Sequence, residues 1–333
     1  MISPESSGRR PGTVEKFSYA FVASALLLLG WLHLGTALVT TLFAYFALQK
    51  LYFPRRRGKV LAVLLFVILL AGVIYGLGLL IKQLVQALPE IANKAIPSAI
   101  QWAKQHHIEL PFTDYDSLKD AAMETVKSQT QFLSGFVKFA RGATTQIAYL
   151  IIGAIVAIGI FLDPNLERDG DAPSGNLYSV CVRAIRKRFT ILYQSFATVM
   201  GAQIVISAIN TTLTAIFVLV VHLPYGFVVI GATFFFGLVP VVGNLVSNTI
   251  IVSIGITVSP TMAIASLIFL VVIHKLEYLL NSKIVGDRIR NPFWMTLLAL
   301  ILGEKLMGIP GMIIAPVVLN YIKLEASRIR TEE

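Results

Sequence analysis

The chain has 333 residues, of which 56% are hydrophobic and only 14% charged, and its mean hydropathy is +0.75. Soluble domains carry about a quarter charged residues, so these values exclude a secreted or cytosolic globular enzyme as the starting point and indicate a lipid environment. One cysteine, Cys181, excludes an internal disulfide framework and a cysteine-rich metal site, and the net charge of +10, which in a soluble protein suggests nucleic acid, is read here as a record of membrane orientation.

Residues 1–16 form a tail that begins with the Ser/Pro/Gly/Arg composition of a disordered segment. No small-residue cleavage site follows the first apolar run, which is therefore expected to be retained. That run, Phe17 to Leu51, is too long for one crossing, since a span needs about 20 apolar residues. Trp31-Leu32-His33-Leu34-Gly35 near its middle offers a polar, Gly-containing turn, which predicts a tight helical hairpin. After the basic loop Arg55-Arg56-Arg57-Gly58-Lys59, Val60 to Ile81 carries no charge over 22 residues and reads as a span, completing an N-terminal membrane region over 17–81.

From 82 to 146 charges of both signs appear, and Leu84, Leu88, Ile91, Met123 and Val126 recur at helical spacing. This pattern predicts an extracytoplasmic helical module punctuated by Pro89, Pro97 and Pro111, with Asp116 or Ser117 as an N-cap and with His106 and His107 solvated. Its apolar face is expected on the membrane or on a partner subunit. Residues 147–162 return through the bilayer and stop at Asp163-Pro164. Over 163–197 a Gly/Pro/Asp-rich cytoplasmic loop leads to a helix bearing Arg183, Arg186, Lys187 and Arg188, expected to lie along the inner surface against anionic head groups.

A C-terminal transport region covers 198–322, with apolar blocks at Thr198 to Val221, Tyr225 to Val258, Thr261 to about Leu280 and Phe293 to Ile322; a short tail, 323–333, closes the chain. The fold class is an all-α polytopic membrane protein of about eight transmembrane segments that include broken or re-entrant helical hairpins. With both termini in the cytoplasm the basic excess falls almost wholly on the inner side, as the loop from Arg55 to Lys59 and the terminal Lys323, Arg328 and Arg330 illustrate.

Within hydrocarbon a helix break is tolerated only where neighbouring helices or a wet cavity satisfy the freed backbone groups, so breaks mark candidate sites. The first is Gly237-Leu238-Val239-Pro240-Val241-Val242-Gly243-Asn244, midway along a long apolar block, followed by Ser247, Asn248 and Ser253 on one side of the next helix. Pro240 and Gly243 are assigned to shaping the break and Asn244, Ser247 and Asn248 to contacting a small polar ligand; each polar residue taken singly also suits contact with a neighbouring helix. The second break, Gly303 to Gly311, contains Glu304, Lys305, Gly308 and Pro310 and predicts a short half-helix or a hairpin. Glu304 is either a cavity carboxylate able to couple a proton or cation, or a surface residue. Between the breaks, His274 and Glu277 lie three apart on one helix face, suited to a proton relay or to a structural pair but too few for a zinc site. Gly237, Gly286, Gly308, Pro310 and Gly311 are candidate hinge or break positions. Gln203 and Asn210-Thr211-Thr212 are read as glue between helices.

The Pro-x-x-Gly hairpin at Gly237 to Asn244, the run from Leu276-Glu277 to Lys283-Ile284-Val285-Gly286, and the terminal pattern of Pro292, Gly308, Gly311, Ala315 and Pro316 together resemble the autoinducer-2 exporter (AI-2E) family, the PerM-like permeases, over most of the chain. The chain departs from that family's pattern at Ser282, where a proline is usual, near Ile250, and at Gln49-Lys50. The resemblance implies a bacterial inner-membrane exporter of a small polar organic molecule, working as a homo-oligomer, a pentamer, by an elevator-like movement among membrane lipids. The alternative that it implies is sodium or other cation/proton antiport, since relatives include such antiporters. A membrane scaffold without transport is the contrasting reading, distinguished by a hairpin that packs dry. No Gly-x-Ser-x-Gly elbow or His-Glu-x-x-His pair supports an intramembrane enzyme, and no motif calls for a cofactor, a metal or nucleic acid.

Overall fold

A computed structural model of the chain describes residues 12–54, 57–105, 129–163, 176–240, 242–284 and 292–327. Every regular element among them is an α-helix: α1 (Thr13–Trp31), α2 (Gly35–Leu51), α3 (Gly58–Gln105), α4 (Gln129–Leu162), α5 (Leu177–Val221), α6 (Gly226–Gly237), α7 (Val242–Val258), α8 (Pro260–Ile284), α9 (Phe293–Met307) and α10 (Ile309–Ala326). Six of these helices, α1, α3, α4, α5, α8 and α10, are long and apolar enough to cross a membrane. The chain is a polytopic membrane protein. At 1.5 Å per residue α3 and α5 are roughly 70 Å long, more than twice the ~30 Å hydrocarbon core, so each extends well beyond it. The arms α6 and α7, with 12 and 17 residues, are only about 18 and 26 Å long.

Local chemistry explains the ends of these helices. The turn after α1 closes with Leu34 N–H donating to Leu29 O and His33 N–H to Gly30 O, and it is His33, at φ 54°, that takes the left-handed position. Gly35 is needed for a different reason: a Cβ there would press against Met307 and Pro310. A second left-handed histidine, His222, ends α5, where Leu223 N–H reaches back to Val218 O. Asn176 caps the start of α5 through its Oδ1 on Ser179 N–H (2.9 Å), and Ser259 caps α8 through its Oγ on Met262 N–H (3.1 Å), with Pro260 as first residue.

Two expectations give way here. α3 continues through Pro89 and Pro97, where punctuation was expected, although each proline removes a backbone donor and crowds the carbonyl four residues before it. The basic segment after residue 176 is no separate surface helix, because α5 runs unbroken from it into the span. Arg188 accordingly does not face lipid head groups but is buried, at 3% exposure. The expectations for Asp116, Ser117, His106, His107, Pro111, Met123 and Val126 lie outside the described residues, as do those for Gly286 and the loop at 164–175.

The helices group into two compact units. The first draws on Met1–Leu69, Tyr149–Gln203 and Ile284–Glu333, the second on Leu70–Ala148 and Ile204–Lys283. The core of the first is Val22, Val39, Leu192, Phe196, Met200, Ile314 and Val317 from α1, α2, α5 and α10, with Phe43 edge-on to Phe196 at 5.0 Å. α9 and α10 pair closely: a Cβ on Gly303 or Gly311 would overlap the other's backbone, and Gly308 between them sits at φ +66°. Small residues are what allow such an approach between helices in lipid.

Beside this core lies a buried charge cluster. Arg188 Nη1 donates to Glu325 Oε2 at 2.6 Å, Arg188 Nε to Ser18 Oγ at 3.2 Å, and Tyr19 Oη to Glu325 Oε2 at 3.0 Å, with the guanidinium 4.0 Å from the Tyr19 ring centre. It joins α1, α5 and α10. Removing one partner of such a pair leaves a buried charge uncompensated and costs about 3–5 kcal/mol, whereas replacing both by apolar residues is close to neutral. Glu325→Ala is therefore expected to lower the thermal unfolding temperature of the purified protein sharply, and Arg188→Met with Glu325→Leu to recover most of the loss.

Candidate functional site

The second unit is built around the α6–α7 hairpin. α6 ends in a turn in which Val239 N–H donates to Phe236 O (2.8 Å) and Gly243 N–H to Val239 O (3.1 Å), with Pro240 at the tip. The return is tight on both sides. A Cβ on Gly243 would collide with the Phe236 carbonyl, and one on Gly237 would meet Ser207 Oγ, which itself donates to Phe234 O at 2.7 Å. Ser207, Gly237 and Phe234 thus seat the end of α6 on α5. Beyond the turn an apolar cluster of Val218, Leu223, Val229, Ile251 and Ile254 holds the unit together, and Phe217 stacks on Phe269 at 4.2 Å.

Residue spacing then gathers polar side chains in one place. On α7, Asn244, Ser247, Asn248 and Ile251 recur at i, i+3, i+4 and i+7 and so share a face. On α8, Leu270, Ile273, His274 and Glu277 do the same, and on α5 Asn210 and Thr214 are one turn apart. These residues, with Thr233 of α6 and Phe269 of α8, line one cavity of about 10 Å³, room for about one water molecule. Glu277 is the one acid on its wall. Asn244 Nδ2 donates to Glu277 Oε1 at 2.5 Å, and Ser247 Oγ donates to Asn244 O at 3.2 Å. A carboxylate only accepts, so the Asn244 amide must present its nitrogen to it, which fixes the orientation of the amide.

The expected ligand contacts Asn244, Ser247 and Asn248 therefore lie on this wall together with His274 and Glu277, while Pro240 and Gly243 shape the turn and stay off it. Three lining residues were missed or read otherwise: Asn210 as helix glue, and Thr214 and Thr233 not at all. The i, i+4 spacing of Asn210 and Thr214 within an otherwise apolar span was the available signal. Glu304 is in the first unit, exposed on α9, in a 3.9 Å surface pair with Lys305, and takes no part in the cavity. Of the candidate break positions, Gly237 ends α6, Gly308 separates α9 from α10, and Pro310 and Gly311 lie in the first turn of α10. Among the described residues no three His, Cys, Asp or Glu side chains converge as a metal site.

Comparison with known proteins adds two findings. A family model described as AI-2E family transporter matches residues 17–326. YdbI of Bacillus subtilis (strain 168), a protein named for transport, is 32% identical over 123 residues, a match that spans 36% of this chain and about a third, 35%, of that relative. No solved structure is similar to the chain.

The Asn244–Glu277 bond is the strongest polar contact on the cavity wall. A hydrogen bond to a charged group is worth about 1.5–3 kcal/mol. Asn244→Ala is expected to destabilise the protein by that amount, and Asn248→Ala, at a lining position without this contact, by less; unfolding temperatures of the two variants in detergent provide the comparison.

Proposed function

Since the chain belongs to the AI-2E transporter family, we propose that it is an exporter of a small polar organic molecule across the bacterial inner membrane, with both termini cytoplasmic, and that the cavity of the second unit is its cargo site. One observation carries this: every residue lining the cavity belongs to a single compact unit, and the other unit contributes none. Such a division suits an elevator-like mechanism, in which one body carries the whole site and the other stays in place. The homo-oligomer, a pentamer by family resemblance, supplies the fixed frame.

Chemistry supports the assignment residue by residue. Interrupted and unusually short hydrophobic segments are the usual location of transporter sites, because their helix ends and unwound backbone face cargo where lipid cannot satisfy them. The α6–α7 hairpin has both properties. A carboxylate held within the membrane is costly and is retained where it binds or moves a charge, and Glu277 is in that position, oriented by Asn244. Because the wall encloses about 10 Å³, a cargo larger than water enters only when the hairpin parts from α8. A wall this polar weighs against a scaffold that packs dry.

Cation/proton antiport is the second reading, favoured by the one carboxylate on the wall. Two assays on the full-length protein in liposomes separate the cases. Liposomes loaded with a mixture of small neutral metabolites are expected to lose one component at least tenfold faster with wild type than with Glu277→Gln, followed by mass spectrometry. A sodium-evoked proton flux, read with a pH-sensitive dye, that vanishes in Glu277→Gln and survives in Glu304→Gln assigns antiport instead. Transport unaffected by Glu277→Gln in both assays overturns the cavity as the cargo site.

A further inference from the structure

The buried wall of the cavity contains a polar atom that the fold leaves without a partner. Asn210 is 4% exposed, it lines the cavity from α5, and its Oδ1 makes no hydrogen bond within the chain. A buried polar atom without a partner costs about 1–3 kcal/mol, and such atoms are rare enough in proteins that each calls for a cause. Three of its neighbours on the wall have no proton to give it. Thr233 Oγ1 donates its one hydrogen to Val229 O at 2.8 Å, and Ser247 Oγ donates its own to Asn244 O. Glu277, as a carboxylate, accepts only, and the bond from Asn244 fills one of its roughly four lone-pair positions. The protons of these two hydroxyls are thus directed into the helices' own backbone, so Asn210, Thr233, Ser247 and Glu277 keep oxygen lone pairs on the wall, beside the donors of Thr214, Asn248 and His274.

Building on the assignment of this cavity as the cargo site, we propose that Asn210 is a cargo-binding residue and that the four oxygens form an acceptor cage selecting a guest that brings positive charge or hydrogen-bond donors. The cage disfavours anions through the negative charge of the Glu277 carboxylate. Two sources share the selected chemistry: a bare monovalent cation, which fits a space of one water, and an organic solute carrying ammonium or hydroxyl groups, which fits once the hairpin has opened.

Equilibrium binding to the purified full-length protein, measured by thermal shift and calorimetry, tests this apart from transport. The probes are lithium and sodium chloride for the bare cation, ethanolamine hydrochloride and glycerol for the donor-bearing solute, and the choline salts of acetate and phosphate for anions. At least one probe from the first two groups is expected to stabilise the wild type, while the choline salts do not. Asn210→Asp, an isostere that keeps only acceptors, should bind that probe as tightly or tighter, and Asn210→Leu at least tenfold more weakly. Should Asn210→Leu fail to fold, Asn210→Val replaces it, with the same expected order. Stabilisation by the anions, weaker binding in Asn210→Asp, undiminished binding in Asn210→Leu, or no response to any probe in the first two groups each overturns the proposal. Binding that follows this order in a protein that moves nothing leaves the cage standing and refutes the exporter; transport indifferent to Asn210 does the reverse.

Discussion

In hydrocarbon a peptide group has no water to bond with, and this one fact orders the rest of the molecule. It explains why the described chain is helix throughout, why helices end on side-chain caps and back-reaching N–H groups, and why polar side chains collect beside a hairpin whose arms are shorter than the membrane core. At the α6–α7 turn the freed backbone groups are met by the chain itself, through Val239 and Gly243 N–H, and Ser207 bonds the last turn of α6. Polar residues of α5, α6, α7 and α8 converge beside it. The carboxylate of Glu277 is tolerable there because Asn244 donates to it.

The same economy appears in the first unit with opposite chemistry. Arg188 and Glu325 form a buried ion pair, and the contacts of the cluster run to Glu15, Ser18, Tyr19 and one another. One unit uses buried charge to fasten three helices, and the other places a half-buried acid beside a space. That contrast sets the cavity of the second unit apart from the ion-pair cluster and supports the proposed cargo site beyond the presence of polar residues alone.

Much of this architecture is legible from residue order. The break at Gly237 to Asn244 is visible because Pro and two Gly interrupt an apolar run, and the separation of α9 from α10 because Gly308 stands amid Gly303, Pro310 and Gly311. What escaped has physical causes. Four basic residues within six positions look alike in a sequence, and only packing shows that Arg188 turns inward to an acid 137 residues away. Pro89 and Pro97 look like stops because a proline's cost is local, whereas the decision to continue a helix is shared over many turns. Asn210 looks like glue because a polar residue in a span has no label for whether it faces a helix or a space; only the missing partner of its Oδ1 tells the two apart. Glu304, an acid beside a glycine break, has the more conspicuous sequence setting, but it lies on the surface.

The small size of the cavity bears on how any affinity for this protein is to be understood. A space of about 10 Å³ cannot admit an organic solute as it stands, so the competent conformer is a parted one, and the measured dissociation constant is the intrinsic one divided by the fraction of molecules already parted. A substitution far from every lining residue, at the tight Gly243 turn for instance, can then strengthen or weaken apparent binding many-fold by shifting that fraction, with no contact to the cargo changed. Conversely, an inhibitor need not resemble the cargo at all: a molecule that pins the hairpin shut would compete through population alone.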